Sequence, residues 1–184
     1  MRRSALAEAG GYDAELIAGE EPELCRRLRE RSYLISHIDF PMTGHDLNMT
    51  RFNQYWRRAV RAGYAYAEMA NRYRASADPM WQRECKKNLR SGMFWIVWLS
   101  LSLPLLALES LWIVPWLAVP VALSARSAWK ARVKAPGQKI LLLLYGFHSH
   151  LQQVPILVGQ LKFYRDRYFG KQAKQIEYKE GASA

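Results

Sequence analysis

From residue 92 to residue 125 the chain carries a single charge, Glu109, while the stretches on both sides are dense in lysine and arginine. No other feature limits the possible folds so strongly. One helical crossing of a bilayer needs about 20 residues. The run at 93–125 has 33 residues, which is long for one span and short for two. The flanks decide. Arg83, Lys86, Lys87 and Arg90 precede it, and Arg126, Lys130, Arg132, Lys134 and Lys139 follow. The positive-inside rule puts both flanks in the cytoplasm. The expected structure is therefore a tight two-span hairpin over 92–126, turning at Glu109 and Ser110, with Pro104, Pro115 and Pro120 bending its helices. One long tilted span is the alternative.

A third apolar run, 140–161, contains His148, Ser149, His150, Gln152, Gln153 and Pro155. Such groups are costly in hydrocarbon, and basic residues flank the run on both sides. It reads as an interfacial or re-entrant helix pair broken near Pro155, within a basic region spanning 127–184. His148 and His150 are spaced i, i+2 and so point to different faces of a helix, against a metal pair. The whole chain has 184 residues and a net charge of +11, with seven Trp and ten Tyr. Basic charge beside apolar and aromatic residues points to membrane lipid as partner, and no nucleic-acid motif accompanies it. Cys25 and Cys85 lack metal-ligand spacing and read as reduced packing residues. The expected location is the inner membrane of the cell, multi-pass, with both termini cytoplasmic.

Residues 1–91 are charged and aromatic. A short helix over 4–8 should stop at Gly10 and Gly11. A second should start at Pro22 and run to about 31, with Leu24, Cys25 and Leu28 inside and Arg26, Arg27, Arg29 and Glu30 mostly outside. A short strand at 33–38 and a loop at 42–48 follow. A long helix over 51–74, capped by Asn48 or Thr50, keeps Phe52, Trp56, Ala59, Val60, Gly63, Tyr64, Ala67 and Ala70 in helical period. Asp78 and Pro79 should open another helix, ending at the basic residues Lys86, Lys87 and Arg90. Residues 49–91 thus read as amphipathic interfacial helices.

The string AGEEPELCRRLRERSY resembles the end of the catalytic domain in family-2 glycosyltransferases. That family has a Gly-Gly-aromatic stretch, then Gly-Glu-Asp about ten residues later, then a helix with Glu-Leu and Arg-Leu. The matching residues are Gly10, Gly11 and Tyr12; Gly19, Glu20 and Glu21; Glu23 and Leu24; Arg27 and Leu28. The tail GQLKFYRDRYFGKQAKQIEYK is similar to the basic tail of membrane-bound members. The resemblance implies that Glu21, at the aspartate position, is the general base that deprotonates the acceptor hydroxyl; a solvated pair of glutamates at a helix start, without chemistry, is the other reading. A sugar hydroxyl is a poor nucleophile until its proton is taken, and the start of a helix suits a carboxylate. Glutamate in place of aspartate moves the carboxylate outward by about 1.5 Å. Gln54, Arg57 and Arg58 partly match the Gln-x-x-Arg-Trp motif of processive members, with Arg58 at the tryptophan position. The resemblance implies a place beside the donor diphosphate, where guanidinium groups bind phosphate oxygens; arginines facing anionic headgroups is the other reading. Gly10, Gly11, Tyr12, Glu20, His45 and Asp46 complete the implied acceptor side, and a turn and cap is the alternative for His45 and Asp46.

The family's nucleotide-binding half, with its Asp-x-Asp motif and divalent metal (Mg or Mn), has no counterpart here. Asp13, Ala14 and Glu15 have the spacing but follow Gly-Gly-Tyr, the wrong place. The expected fold is a mostly α membrane protein. It combines the incomplete C-terminal, acceptor-side end of an α/β Rossmann-like domain (1–48) with interfacial helices and a transmembrane hairpin. The implied activity is transfer of a sugar from a nucleotide-sugar donor to a lipid-linked or polysaccharide acceptor at the cytoplasmic face. The donor would be held by a missing N-terminal half, so the chain alone is expected to be inactive. A non-catalytic membrane subunit that docks onto a separate glycosyltransferase half is the rival reading.

Overall fold

The computed structural model describes residues 2–36, 40, 49–107, 111–133 and 135–171. Among these, regular structure is entirely helical: α1 (Arg3–Glu8), α2 (Glu20–Glu30), α3 (Phe52–Arg72), α4 (Gln82–Ala107), α5 (Ile113–Ala131), α6 (Lys139–Leu151) and α7 (Gln153–Tyr168). The turn expected at Glu109 and Ser110, the loop at 42–48 and most of the basic tail lie outside the described residues.

α1 ends where expected, because Gly10 and Gly11 take φ values of 80° and 72°. α2 starts at Glu20, two residues before the proline. The left-handed Gly19 (φ 90°) turns the chain into the helix, and Pro22 falls within the first turn, where a missing N–H breaks no helical bond. Glu21 therefore lies inside the helix rather than ahead of it. Arg26, expected outside, is buried. Its guanidinium stacks 4.2 Å from the Tyr73 ring centroid and pairs with Glu30 at 2.9 Å, so the stem is covered while the head keeps polar partners. Residues 33–36 form no strand. A strand needs a partner for its backbone ladder, and Leu34 is 98% exposed.

α3 is capped neither by Thr50 nor by any described asparagine. Gln54 reaches back instead, and its Oε1 accepts from the Thr50 and Arg51 N–H groups at 2.9 and 3.0 Å. The core of the molecule is the crossing of α3 and α7. Gly63 faces the Ile156 carbonyl and Gly159 faces the Val60 carbonyl so closely that a Cβ at either would collide. Backbones meet there without side chains between them, as small residues allow in membrane helix pairs. Tyr64 and Phe163 lock edge to face beside the crossing at 5.3 Å.

α4 begins at Gln82, three residues later than expected. Asp78 and Pro79 lie in an irregular stretch, and the helix starts after Trp81, a non-glycine residue with φ 55°. It then runs unbroken through Lys86, Lys87 and Arg90 to Ala107, so no boundary falls at 91/92. With 26 residues and a rise of about 1.5 Å per residue, α4 extends about 39 Å, more than the roughly 30 Å hydrocarbon core. It is the one described helix long and apolar enough, by length and composition, to cross a membrane. Buried Gln160 of α7 ties it down, donating from Nε2 to the Cys85 carbonyl at 3.0 Å.

α5 folds back along α4. Trp98 and Trp116 stack in parallel at 5.8 Å, and Trp116 Nε1 donates to Ser102 Oγ at 2.8 Å. α6 packs on α5 through Gly146, which sits against the Ser124 carbonyl. The helix pair is broken at Gln152, three residues before Pro155. Pro155 occupies the first turn of α7, where it starts a helix and does not interrupt one.

Candidate functional site

An open cleft of about 1170 Å³ lies between α2 and the segment that links α3 to α4. Glu21, Cys25 and Arg29 line it from α2, and Asp78, Trp81 and Arg83 from the opposite wall. Its charges are balanced: Glu21, Glu30, Asp78 and Glu84 face Arg26, Arg29, Arg83 and Lys86. Trp81 is wedged between elements. Its ring lies 3.2 Å from where a Cβ on Gly19 would stand, and 5.1 Å from the Tyr66 ring. A left-handed tryptophan is an uncommon, strained conformation of the kind that gathers at functional sites.

Glu21 is exposed on the cleft wall. The neighbouring carboxylates are committed elsewhere. Glu20 pairs with Arg61 at 3.5 Å, and Arg61 also donates to the Ile17 carbonyl at 2.6 Å. Glu23 is 2% exposed and is the centre of a network joining the first three helices. Arg27 binds it through Nε and Nη2, the latter at 2.7 Å. Tyr73 donates its hydroxyl to Glu23 at 2.7 Å. Arg27 continues to the Ala9 and Gly11 carbonyls. Burial alone would raise the Glu23 carboxyl, but the hydrogen bonds from Arg27 and Tyr73 outweigh it and hold the group below its ordinary value. Burial, with Glu23 as acceptor, pushes Tyr73 up to about 12.

The other sequence candidates divide. The carbonyl of Gly11 holds Arg27, and Gly10 sits beside the same guanidinium. Both glycines shape the α1–α2 turn, from which Tyr12 projects about half exposed. Gln54 serves as a cap, and Arg57 is exposed and Arg58 half-buried on α3. None of these three lines the Glu21 cleft. His45 and Asp46 lie outside the described residues. Asp13 is committed to Arg72 at 2.6 Å and to the Glu15 N–H at 2.9 Å, so the Asp-Ala-Glu spacing serves a turn. His148 meets the Tyr55 ring at 5.4 Å, and His150 pairs with Ser127 Oγ at 3.0 Å. No group of three or more His, Cys, Asp or Glu among the described residues is placed to hold a metal ion.

Sequence reasoning missed Glu23, Tyr73 and Trp81. The Glu23 and Arg27 pair was legible as an i, i+4 couple; nothing local marks Trp81, whose role depends on Gly19 across the fold. Comparison with protein-family models, curated proteins and solved structures finds no match for this chain.

Proposed function

We propose that this chain is the acceptor-side, membrane-anchored part of an inverting glycosyltransferase, working with a separate donor-binding domain at the cytoplasmic membrane face. One observation supports this reading above others. Glu21 stands exposed on the wall of an open cleft opposite Trp81, immediately ahead of the helix that is long and apolar enough to cross a bilayer. An indole face suits the C–H face of a sugar ring, and a carboxylate beside it can take the proton of an acceptor hydroxyl. Glu20 and Glu23 are held by arginines, which leaves Glu21 as the base. The divalent ion of the complete enzyme would be held by the donor domain, and the role given to Glu21 does not pass through it. In this reading α4 and α5 form a two-span hairpin in the inner membrane with both chain ends cytoplasmic.

The docking-subunit reading draws support from a different place. Leu34 and Phe40 are 98% and 70% exposed, apolar side chains of the kind that a second protein would cover.

The test is transfer from radiolabelled nucleotide-sugars by membranes carrying the chain, alone and with a co-expressed donor-binding domain. Transfer is expected only in the second case. Glu21→Gln should lower it by about 10²–10⁴-fold, the usual effect of losing a general base, while Glu21→Asp keeps it. Full activity in Glu21→Gln would remove Glu21 from the mechanism. Transfer that needs the chain but tolerates every Glu21 substitution would favour the docking subunit.

A further inference from the structure

A second pocket, of about 720 Å³, opens between α4, α5 and α6. Its charge differs from that of the Glu21 cleft. Lys87, Arg90 and Lys130 line it, and no carboxylate among the described residues does. Three cations without a counter-charge make a site for an anion.

The helices grade this pocket along their length. Lys87 and Arg90 are spaced i, i+3 on α4 and share a face. Phe94 lies about one turn further along the same face, roughly 6 Å deeper. α5 runs back beside α4 and presents the same gradient in reverse, from Leu123 through Ser127 to Lys130. Both helices thus set their cations at one end and their apolar side chains at the other. Trp95 is buried against the His150 ring at 5.3 Å and closes the wall. Gln153 adds a polar floor. Its Nε2 donates to the Ser149 carbonyl at 3.1 Å, and its Oε1 is buried without a hydrogen-bond partner in the protein.

A soluble anion would use the basic end and leave the aromatic end in contact with water. An anionic phospholipid fills both, with phosphate among the three cations and an acyl chain along Phe94 and Leu123. The polarity gradient also matches depth, since Lys87 and Arg90 precede the uncharged part of α4, which is long and apolar enough by length and composition to cross a bilayer. We infer that this pocket is a specific binding site for one anionic phospholipid at the cytoplasmic interface. The inference rests on α4 and α5 being membrane-embedded and not on sugar transfer.

Native mass spectrometry of the delipidated full chain in detergent tests it, with phosphatidylglycerol and phosphatidylcholine as probes. The pocket variant is Lys87→Gln/Arg90→Gln/Lys130→Gln. The control is Arg126→Gln/Arg132→Gln/Lys139→Gln, which removes the same charge beside the same helices. A headgroup contact contributes about fivefold per cation, on the order of a hundredfold for three. Phosphatidylglycerol should bind the native chain in preference to phosphatidylcholine. It should lose at least about tenfold in the pocket variant and less than about twofold in the control. Equal loss in both variants would reduce the effect to diffuse charge and overturn the site. Equal binding of glycerol-3-phosphate would overturn the lipid as occupant. A chain that stays in the aqueous phase and ignores vesicles of either lipid would overturn the membrane premise itself. Lipid binding with the expected selectivity in a chain without transferase activity would support the site while the enzymatic reading fails.

Discussion

Three glutamates within four residues of α2 should respond very differently to loss of charge. Glu23→Gln acts on a carboxylate that is 2% exposed and takes hydrogen bonds from Arg27 and Tyr73. Removing one partner of a buried ion pair costs about 3–5 kcal/mol. Glutamine keeps one acceptor, and Arg27 keeps the Ala9 and Gly11 carbonyls, which shifts the expected cost down to about 2–4 kcal/mol. For a chain of this size that corresponds to roughly 5–15 °C in Tm. Glu20→Gln breaks a half-exposed pair with Arg61 at 3.5 Å, worth about 0–1 kcal/mol. Glu21→Gln removes only an exposed charge at a helix start, about 0.3–1 kcal/mol.

Thermal unfolding of the purified chain in detergent measures the ranking, and amide exchange over residues 20–30 localises it. Glu23→Gln should lower Tm most and release protection throughout α2, since its network ties that helix to α1 and α3. The other two variants should stay close to the native chain. If Glu21→Gln destabilises as much as Glu23→Gln, then Glu21 is also a structural carboxylate, and its place on the cleft wall loses its meaning. If Glu23→Gln costs under about 1 kcal/mol with α2 protection unchanged, the buried network does not hold the helices together as argued.

The same network sets a pH window. Glu23 and Asp13 have lowered folded values, Asp13 chiefly through the Glu15 N–H and Arg72. Their contribution is present above the unfolded values of 4.5 and 3.8 and is lost as pH falls through the lowered folded values. Tyr73 is raised, so its contribution is present below 10 and lost between 10 and about 12; Tyr73→Phe should flatten that alkaline limb in a Tm-versus-pH series, and an unchanged limb would refute its source. Topology is read by labelling single cysteines at positions 109 and 132 from outside the cell: only 109 should react, and external reaction at 132 would end the hairpin.

The parts legible in the sequence are those where one physical signal acts alone. Gly10 and Gly11 stop α1 because nothing else competes for that turn. α3 follows from the period of Ala59, Val60, Gly63, Tyr64 and Ala67, all buried as the pattern requires. Prolines were harder, because their meaning depends on a boundary set by other residues. Pro22 and Pro155 both lie within first turns, where the helix start fixes their role and the proline does not fix the helix start. Trp81 was invisible because its backbone strain is supported from Gly19, across the fold. Arg26 misled for a related reason: a charged residue at a helix surface counts as exposed until a ring such as Tyr73 covers its stem. In the candidate site, motif context marks Glu21, whereas nothing in the sequence beyond the Glu-Leu match marks Glu23, although it is the better-anchored carboxylate.

The basic cluster ahead of the apolar run is the clearest case of one sequence signal standing for two structural facts. Counted as a flank, Arg83, Lys86, Lys87 and Arg90 give only an orientation in the membrane. Placed on one helix at about 100° per residue, all four share one face and separate only along the helix axis. Arg83 and Lys86, three apart, face the cleft that holds Glu21, where carboxylates balance them. Lys87 and Arg90, about one turn further along, line the second pocket, where no carboxylate among the described residues does. A single helix thus lines a charge-balanced cleft at its start, a cationic pocket about one turn further on, and carries its long apolar run beyond both.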